Sequence, residues 1–294
     1  MSKAVSFYSE GVKLAGDLFL PADVKPGDRR AGIVLCHGYT GVRSIYLPDN
    51  ARVLAEAGYV VMSFDYKGWG DSEGPKSRLA PYSRVADVQA ALTFLGAQPE
   101  VDAARLGIYG TSYGGATVVF VAAVDLRVRC VVSVVGVGNG ARWMRSVRRP
   151  DEYHDLLTRA AADRDKRVLT GVSDLADRNE VLLPDRQSAE LSAAACATIR
   201  RPRHSCRSNS STTRSASIRN GSSTASRRGR LCSSRRTMTV WCRRRRARLC
   251  LRAGEPKKLV VLKGVGHYEV YGGEAFRQVT DETVAWYKTH LPAR

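Results

Sequence analysis

The sequence predicts an α/β protein with a mainly parallel sheet and helices on both of its faces. Short apolar runs alternate with amphipathic stretches through the first half of the 294 residues. The runs AGIVLCHG, YVVMSFD and VRCVVSVVGVG are apolar almost throughout, as strands covered on both faces must be. One such run, RLGIYG, leads directly into a glycine-flanked serine and a helical pattern.

In chain order, VSFYSEGVKLAGDLFLP predicts an antiparallel hairpin ahead of the parallel strands. AGIVLCHG is then a strand, followed by a helical stretch ending near the AEAG segment, the strand YVVMSFD, and the helix SRVADVQAALTFLGAQ. RLGIYG and VRCVVSVVGVG are strands either side of a helix over 113–124. Residues 141–199 are helix-forming and charged, without a strand pattern, and predict a helical lid inserted into the core formed by 1–140 and 253–294. Near the C-terminus, KKLVVLKG is a strand and EAFRQVTDETVAWYKTHL an amphipathic helix.

A formal charge of +19 suggests an anionic partner until its location is examined. Residues 200–252 hold 17 Arg and no Lys, Asp or Glu, so nearly all of the excess is local. Four of the seven cysteines (Cys206, Cys232, Cys242, Cys250) fall there too, at spacings that fit neither a zinc site nor a secreted disulfide framework. The start of the chain has no signal-peptide run, and no stretch approaches the roughly 20 apolar residues of a membrane span. A cytoplasmic protein is expected, with no metal, cofactor, nucleic acid or membrane partner; oligomeric state is not legible.

Gly110-Thr111-Ser112-Tyr113-Gly114 is a G-x-S-x-G between strand and helix. On so tight a turn the serine hydroxyl stands above the sheet, small residues on either side avoid backbone clashes, and the helix N-terminus favours negative charge nearby. With Cys36-His37-Gly38-Tyr39-Thr40-Gly41, Phe64-Asp65-Tyr66-Lys67-Gly68-Trp69-Gly70-Asp71-Ser72 and Gly264-Val265-Gly266-His267, this resembles the α/β-hydrolases, specifically bacterial serine esterases and their acyl-peptide and X-prolyl peptidase relatives. The resemblance covers residues 1 to about 199 and 253–294. It implies Ser112 as nucleophile, His267 as its base, and the backbone N–H groups of Tyr39 and Tyr113 as the oxyanion hole. His37 and Asp65 are implied to be structural. A serine hydroxyl is a weak nucleophile at neutral pH, so a neutral imidazole must take its proton and later return it to the leaving group. His154, His204 and His290 have no comparable context.

The family's triad acid follows the seventh strand in a D-x-x-V-P-like loop. The written sequence has no acid between Glu190 and Glu255, and that strand is expected to be missing. Reading one base out of register explains this. If each true codon joins the last base of one residue to the first two of the next, Met238 before Thr239 must encode Asp. Trp241 before Cys242 must encode Val, three codons later. A compensated pair of frameshifts, opening near Ile199 to Arg201 and closing near Leu251 to Ala253, is therefore expected, with residues 200–252 disordered as written and the acid near Met238 and Thr239.

The expected function is a serine hydrolase acting on carboxylic esters with small or medium acyl groups, by way of an acyl-enzyme. Amidase, peptidase and thioesterase chemistry use the same machinery. Two readings of another class are a catalytically dead scaffold and an Arg-rich RNA-binding protein; against the latter, the tract has no Gly-Arg-Gly or Arg-Ser repetition and few stacking aromatics. Trp143, Tyr153, Leu156 and Leu157 are candidates to line the cleft from the lid.

Overall fold

The computed structural model describes residues 2–182, 190, 237–241 and 254–294. Its sheet has eight strands: β1 (Ser2–Ser9), β2 (Val12–Phe19), β3 (Arg30–Cys36), β4 (Val60–Phe64), β5 (Val101–Thr111), β6 (Val128–Val134), β7 (Thr237–Trp241) and β8 (Lys257–Val260). Their spatial order is β1-β2-β4-β3-β5-β6-β7-β8. The expected hairpin is present: β1 pairs antiparallel with β2, and β2 antiparallel with β4, while the remaining neighbours are parallel.

All seven residues of β3 and all five of β4 are buried, which explains why all but Arg30 and Ser63 are apolar or glycine. Helices α1 (Leu47–Glu56) and α7 (Gly273–His290) cover one face, and α2 (Pro81–Gly96) and α3 (Tyr113–Val124) the other. α2 buries a stripe of Val88, Ala91, Leu92 and Leu95 at helical spacing. Each buried Leu there contributes about 2 kcal/mol of apolar transfer. α7 docks where Gly107 leaves room: a Cβ at that position would come within 3.0 Å of Tyr287 and 2.8 Å of Leu291. The Tyr287 hydroxyl donates to the Ile108 carbonyl at 2.8 Å.

Following β6 are three helices, α4 (Gly140–Ser146), α5 (Pro150–Thr170) and α6 (Arg178–Val181). The expectation of disorder across 200–252 lies outside the described residues except at 237–241, where it is corrected. Thr237–Trp241 forms β7, in parallel register with β6 (Met238 with Val131, Thr239 with Val132) and β8 (Met238 with Lys257, Thr239 with Lys258). The seventh strand is therefore not lost. TMTVW is an arginine-free run of β-branched, aromatic and apolar residues, which suits a strand, and its backbone supplies the ladder that β6 and β8 would otherwise leave unpaired.

The topology also creates the site. From β3 the chain crosses to β4 on one side, while from β5 it crosses to β6 on the other. The loops leaving the C-terminal ends of β3 and β5 therefore diverge, and a crevice opens between them.

Candidate active site

Ser112 stands at the end of β5 with φ 55° and ψ −119°, a left-handed conformation that costs a non-glycine residue about 1–2 kcal/mol. Three backbone bonds hold it: Ser112 N–H donates to Val134 O at 2.8 Å, and its own carbonyl accepts from Ala116 and Val137 at 3.3 Å each. The flanking glycines are there for clearance. A Cβ on Gly110 would fall 2.4 Å from the Gly114 carbonyl oxygen, and one on Gly114 would fall 2.2 Å from that of Cys36. The first would push the start of α3 off the end of β5, and the second would wedge the β3 loop away from the serine.

His267 lies in the loop after β8, just before a short 3-10 turn, Glu269–Tyr271. Its Nε2 is 3.0 Å from Ser112 Oγ. At that distance the imidazole accepts the serine proton when its own proton is on Nδ1. The loop is braced by the Glu269 carboxylate, which accepts from the Gly266 N–H, and by the Tyr268 ring, edge-on to His267 with centroids 5.2 Å apart.

Opposite the serine lies the loop after β3. Gly38 packs against Ser112 so closely that a Cβ there would be 3.1 Å from Ser112 Cβ. Tyr39 is buried, with its ring edge-on to that of Tyr113 at 6.3 Å. His37 is also buried; its Nδ1 is 3.0 Å from Gly38 O, so the ring donates from Nδ1 to that carbonyl. Burial, reinforced by the nearby Arg84 charge, pushes its pKa down to about 3. It is thus a neutral structural donor. Arg84 of α2, 2% exposed, donates from Nη1 to the same Gly38 carbonyl at 3.1 Å.

Asp65 is fully engaged elsewhere: it accepts from the backbone N–H of Arg43 at 2.7 Å and of Asp71 at 3.1 Å, and from the Arg43 guanidinium. That is a brace for the turn after β4. The acid expected near Met238 and Thr239 does not stand there in the written chain: both positions lie inside β7, and neither residue carries a carboxylate.

From the segment that follows β6, Met144, Ala176, Val181 and Leu182 pack with Tyr39, Leu79 and Tyr113. Of the aromatic and aliphatic candidates, Trp143, Tyr153 and Leu156 are half-buried and Leu157 is exposed. His154 is exposed on α5, His290 packs on the Trp286 ring at 4.0 Å, and His204 lies outside the described residues. A separate cleft of about 580 Å³ adjoins the His267 loop, lined by Tyr46, Tyr268, Glu269 and Tyr271 among others. No group of His, Cys, Asp or Glu able to hold a metal occurs among the described residues, and no described helix is long and apolar enough to cross a membrane.

Arg84 escapes a reading of motifs, although the sequence carries a signal. It occupies the same helical stripe as Val88, Ala91, Leu92 and Leu95, and a charge on an apolar stripe is anomalous.

Residues 33–281 match the sequence pattern of the Alpha/beta hydrolase family. An uncharacterized 31.7 kDa protein in the traX-finO intergenic region of Escherichia coli is 34% identical over 139 residues, 47% of this chain and 49% of that protein. Thiohydrolase aneE of Aspergillus aculeatus is 36% identical over 126 residues, 42% of this chain and 38% of that one. The chain thus spans half or less of the length of these curated relatives. In three dimensions, hypothetical protein PA2218 from Pseudomonas aeruginosa superposes with a TM-score of 0.76 at 23% identity, covering 99% of this chain and 94% of that one, a likeness of fold.

Proposed function

The chain belongs to the alpha/beta hydrolase family, and from that premise we propose that it is a serine hydrolase of carboxylic esters with small or medium acyl groups. The observation that carries this reading is the 3.0 Å approach of His267 Nε2 to Ser112 Oγ. In the proposed cycle, Oγ attacks the acyl carbonyl and its proton passes to His267 Nε2. The N–H groups of Tyr39 and Tyr113 hold the oxyanion. Collapse expels the alcohol, which takes the proton from His267. Water then attacks the acyl-enzyme by the same route and releases the acid. A second reading, thioester cleavage, draws support from the thiohydrolase among the relatives, and differs only in the leaving group.

The part missing from the written chain is the acid that would orient His267. We propose that the same bases, read one register over, supply it between Met238 and Thr239, three codons before a valine. Sequencing the DNA across codons 195–255 tests that directly.

For the activity, the chain with the alternative frame restored is treated with a fluorophosphonate and the modified residue located by mass spectrometry. Labelling at Ser112 that is lost in His267→Ala is expected; a labelled residue elsewhere overturns the assignment. Relative kcat/KM on p-nitrophenyl butyrate and on a butyryl thioester then separates the two readings.

A further inference from the structure

Arg84 is a buried cation with no carboxylate in ion-pair contact among the described residues. Its Nε and Nη2 have no hydrogen-bond partner among the described residues. Asp87, one turn along the same helix, is occupied by the Ser9 hydroxyl at 2.7 Å and the Lys67 N–H at 3.0 Å. Instead, the guanidinium lies over the Tyr66 ring at 4.2 Å from its centroid, with Tyr113 at 5.4 Å and Trp69 at 5.9 Å. Such a group is expensive to bury, and a neutral side chain of similar length would serve packing as well or better. The one side-chain hydrogen bond it makes among the described residues, to Gly38 O, therefore calls for a reason other than stability.

The geometry of the peptide supplies one. The Gly38–Tyr39 bond is trans, so its C=O and N–H point in opposite directions across one rigid plane. Whatever grips the Gly38 oxygen decides where the Tyr39 N–H points. Two donors grip it, Arg84 Nη1 at 3.1 Å and His37 Nδ1 at 3.0 Å, which uses both lone pairs of the carbonyl. Arg84 also lies against the ring of Tyr113, the other residue assigned to the oxyanion hole.

We propose that Arg84 is a positioning residue, which by donating to the Gly38 carbonyl aims the Tyr39 N–H at the oxyanion formed during acyl transfer. The positive charge on the carbonyl side also polarises the peptide and makes that N–H a stronger donor. This rests on the serine hydrolase reading above. Arg84 touches no substrate, and acts only through the Gly38–Tyr39 peptide.

The test is run in the chain with the alternative frame restored, taken as wild type, and compares it with Arg84→Met, Arg84→Lys and Ser112→Ala in the rate of fluorophosphonate labelling at Ser112 and in hydrolysis of p-nitrophenyl acetate, each first checked for cooperative thermal unfolding. Arg84→Met should fold, label roughly 10- to 100-fold more slowly, and lose kcat in proportion while KM stays within about twofold, since the ground-state ester makes little use of the hole. Arg84→Lys keeps a cation able to make one bond to Gly38 O and should recover most of the loss. If Arg84→Met labels within about twofold of wild type, the proposal is overturned while the hydrolase reading stands. It is likewise overturned if folded Arg84→Lys is as slow as Arg84→Met. If Arg84→Met does not fold, Arg84→Lys alone decides, and a folded Lys variant labelling at under a tenth of the wild-type rate overturns it. Wild type that does not label at Ser112 overturns both the proposal and the reading beneath it.

Discussion

His267 Nε2 meets Ser112 Oγ at 3.0 Å although 155 residues separate them in the chain. Parallel strands make this possible. β5 and β8 run in the same direction, so the loops at their C-terminal ends emerge on the same edge of the sheet, where the switch of strand order leaves a crevice.

That contact makes both residues indispensable to the proposed chemistry. In a chain with the alternative frame restored, Ser112→Ala and His267→Ala should each lower kcat on p-nitrophenyl acetate by roughly 10⁴-fold or more, and the double variant should be little worse than either. Steady-state kinetics on the purified variants checks this; retention of near-full turnover by either would remove that residue from the mechanism.

The backbone of Ser112 predicts a trade of stability against activity. Its angles fall at the first central position of a type II′ turn, where glycine is favoured. Ser112→Gly should be inactive, yet more stable than Ser112→Ala by about 1 kcal/mol, roughly 2 °C in Tm for a chain of this size. Differential scanning calorimetry on the two variants measures it.

Close approach at the elbow predicts the opposite at Gly114. Alanine there would set its Cβ 2.2 Å from the Cys36 carbonyl oxygen, backbone against backbone, with no flexible side chain to yield. Gly114→Ala should cost about 3 kcal/mol and reduce Ser112 labelling by moving the β3 loop. Denaturant unfolding with an unchanged m-value supports it; unaltered stability contradicts it.

His37 predicts a pH dependence of stability. Its folded pKa, about 3, lies below the ordinary imidazole value, so between the two the unfolded chain binds a proton that the native chain does not. Its stabilising contribution is complete above about pH 6.5 and is lost as pH falls toward 3, with a limiting slope of about 1.4 kcal/mol per pH unit. His37→Asn keeps a donor to the Gly38 carbonyl but does not titrate. The stability difference between wild type and variant should therefore shift in the variant's favour as pH falls from 6.5 to 4, and a constant difference would contradict the assignment.

The missing acid predicts a difference between reading frames. Changing the carboxylate partner of a triad histidine costs related enzymes about 10⁴-fold in kcat. The frame-restored chain should exceed the written one by a factor of that order on p-nitrophenyl acetate. Equal rates would mean that another group orients His267, and Glu269→Gln, two residues away in the same loop, would then be the variant to measure.

Local sequence was sufficient wherever the physics is local. The apolar runs identified the central stretches of β3, β4, β5 and β6 because positions buried on both faces of a sheet are filled mostly by apolar residues. Gly110 and Gly114 marked the elbow because only a missing Cβ clears a carbonyl 2.2 to 2.4 Å away. The charge count separated the arginine tract from the rest of the chain. Tertiary structure decided what depends on partners distant in sequence. TMTVW is a strand-compatible run too short to stand out between its arginines, and becomes β7 because β6 and β8 each present it with an edge to pair. Asp65 is identified as a brace only by the Arg43 and Asp71 donors converging on it. Arg84 looks like a misplaced charge on an apolar stripe until the fold brings the Gly38 carbonyl, 46 residues away, within 3.1 Å of its guanidinium.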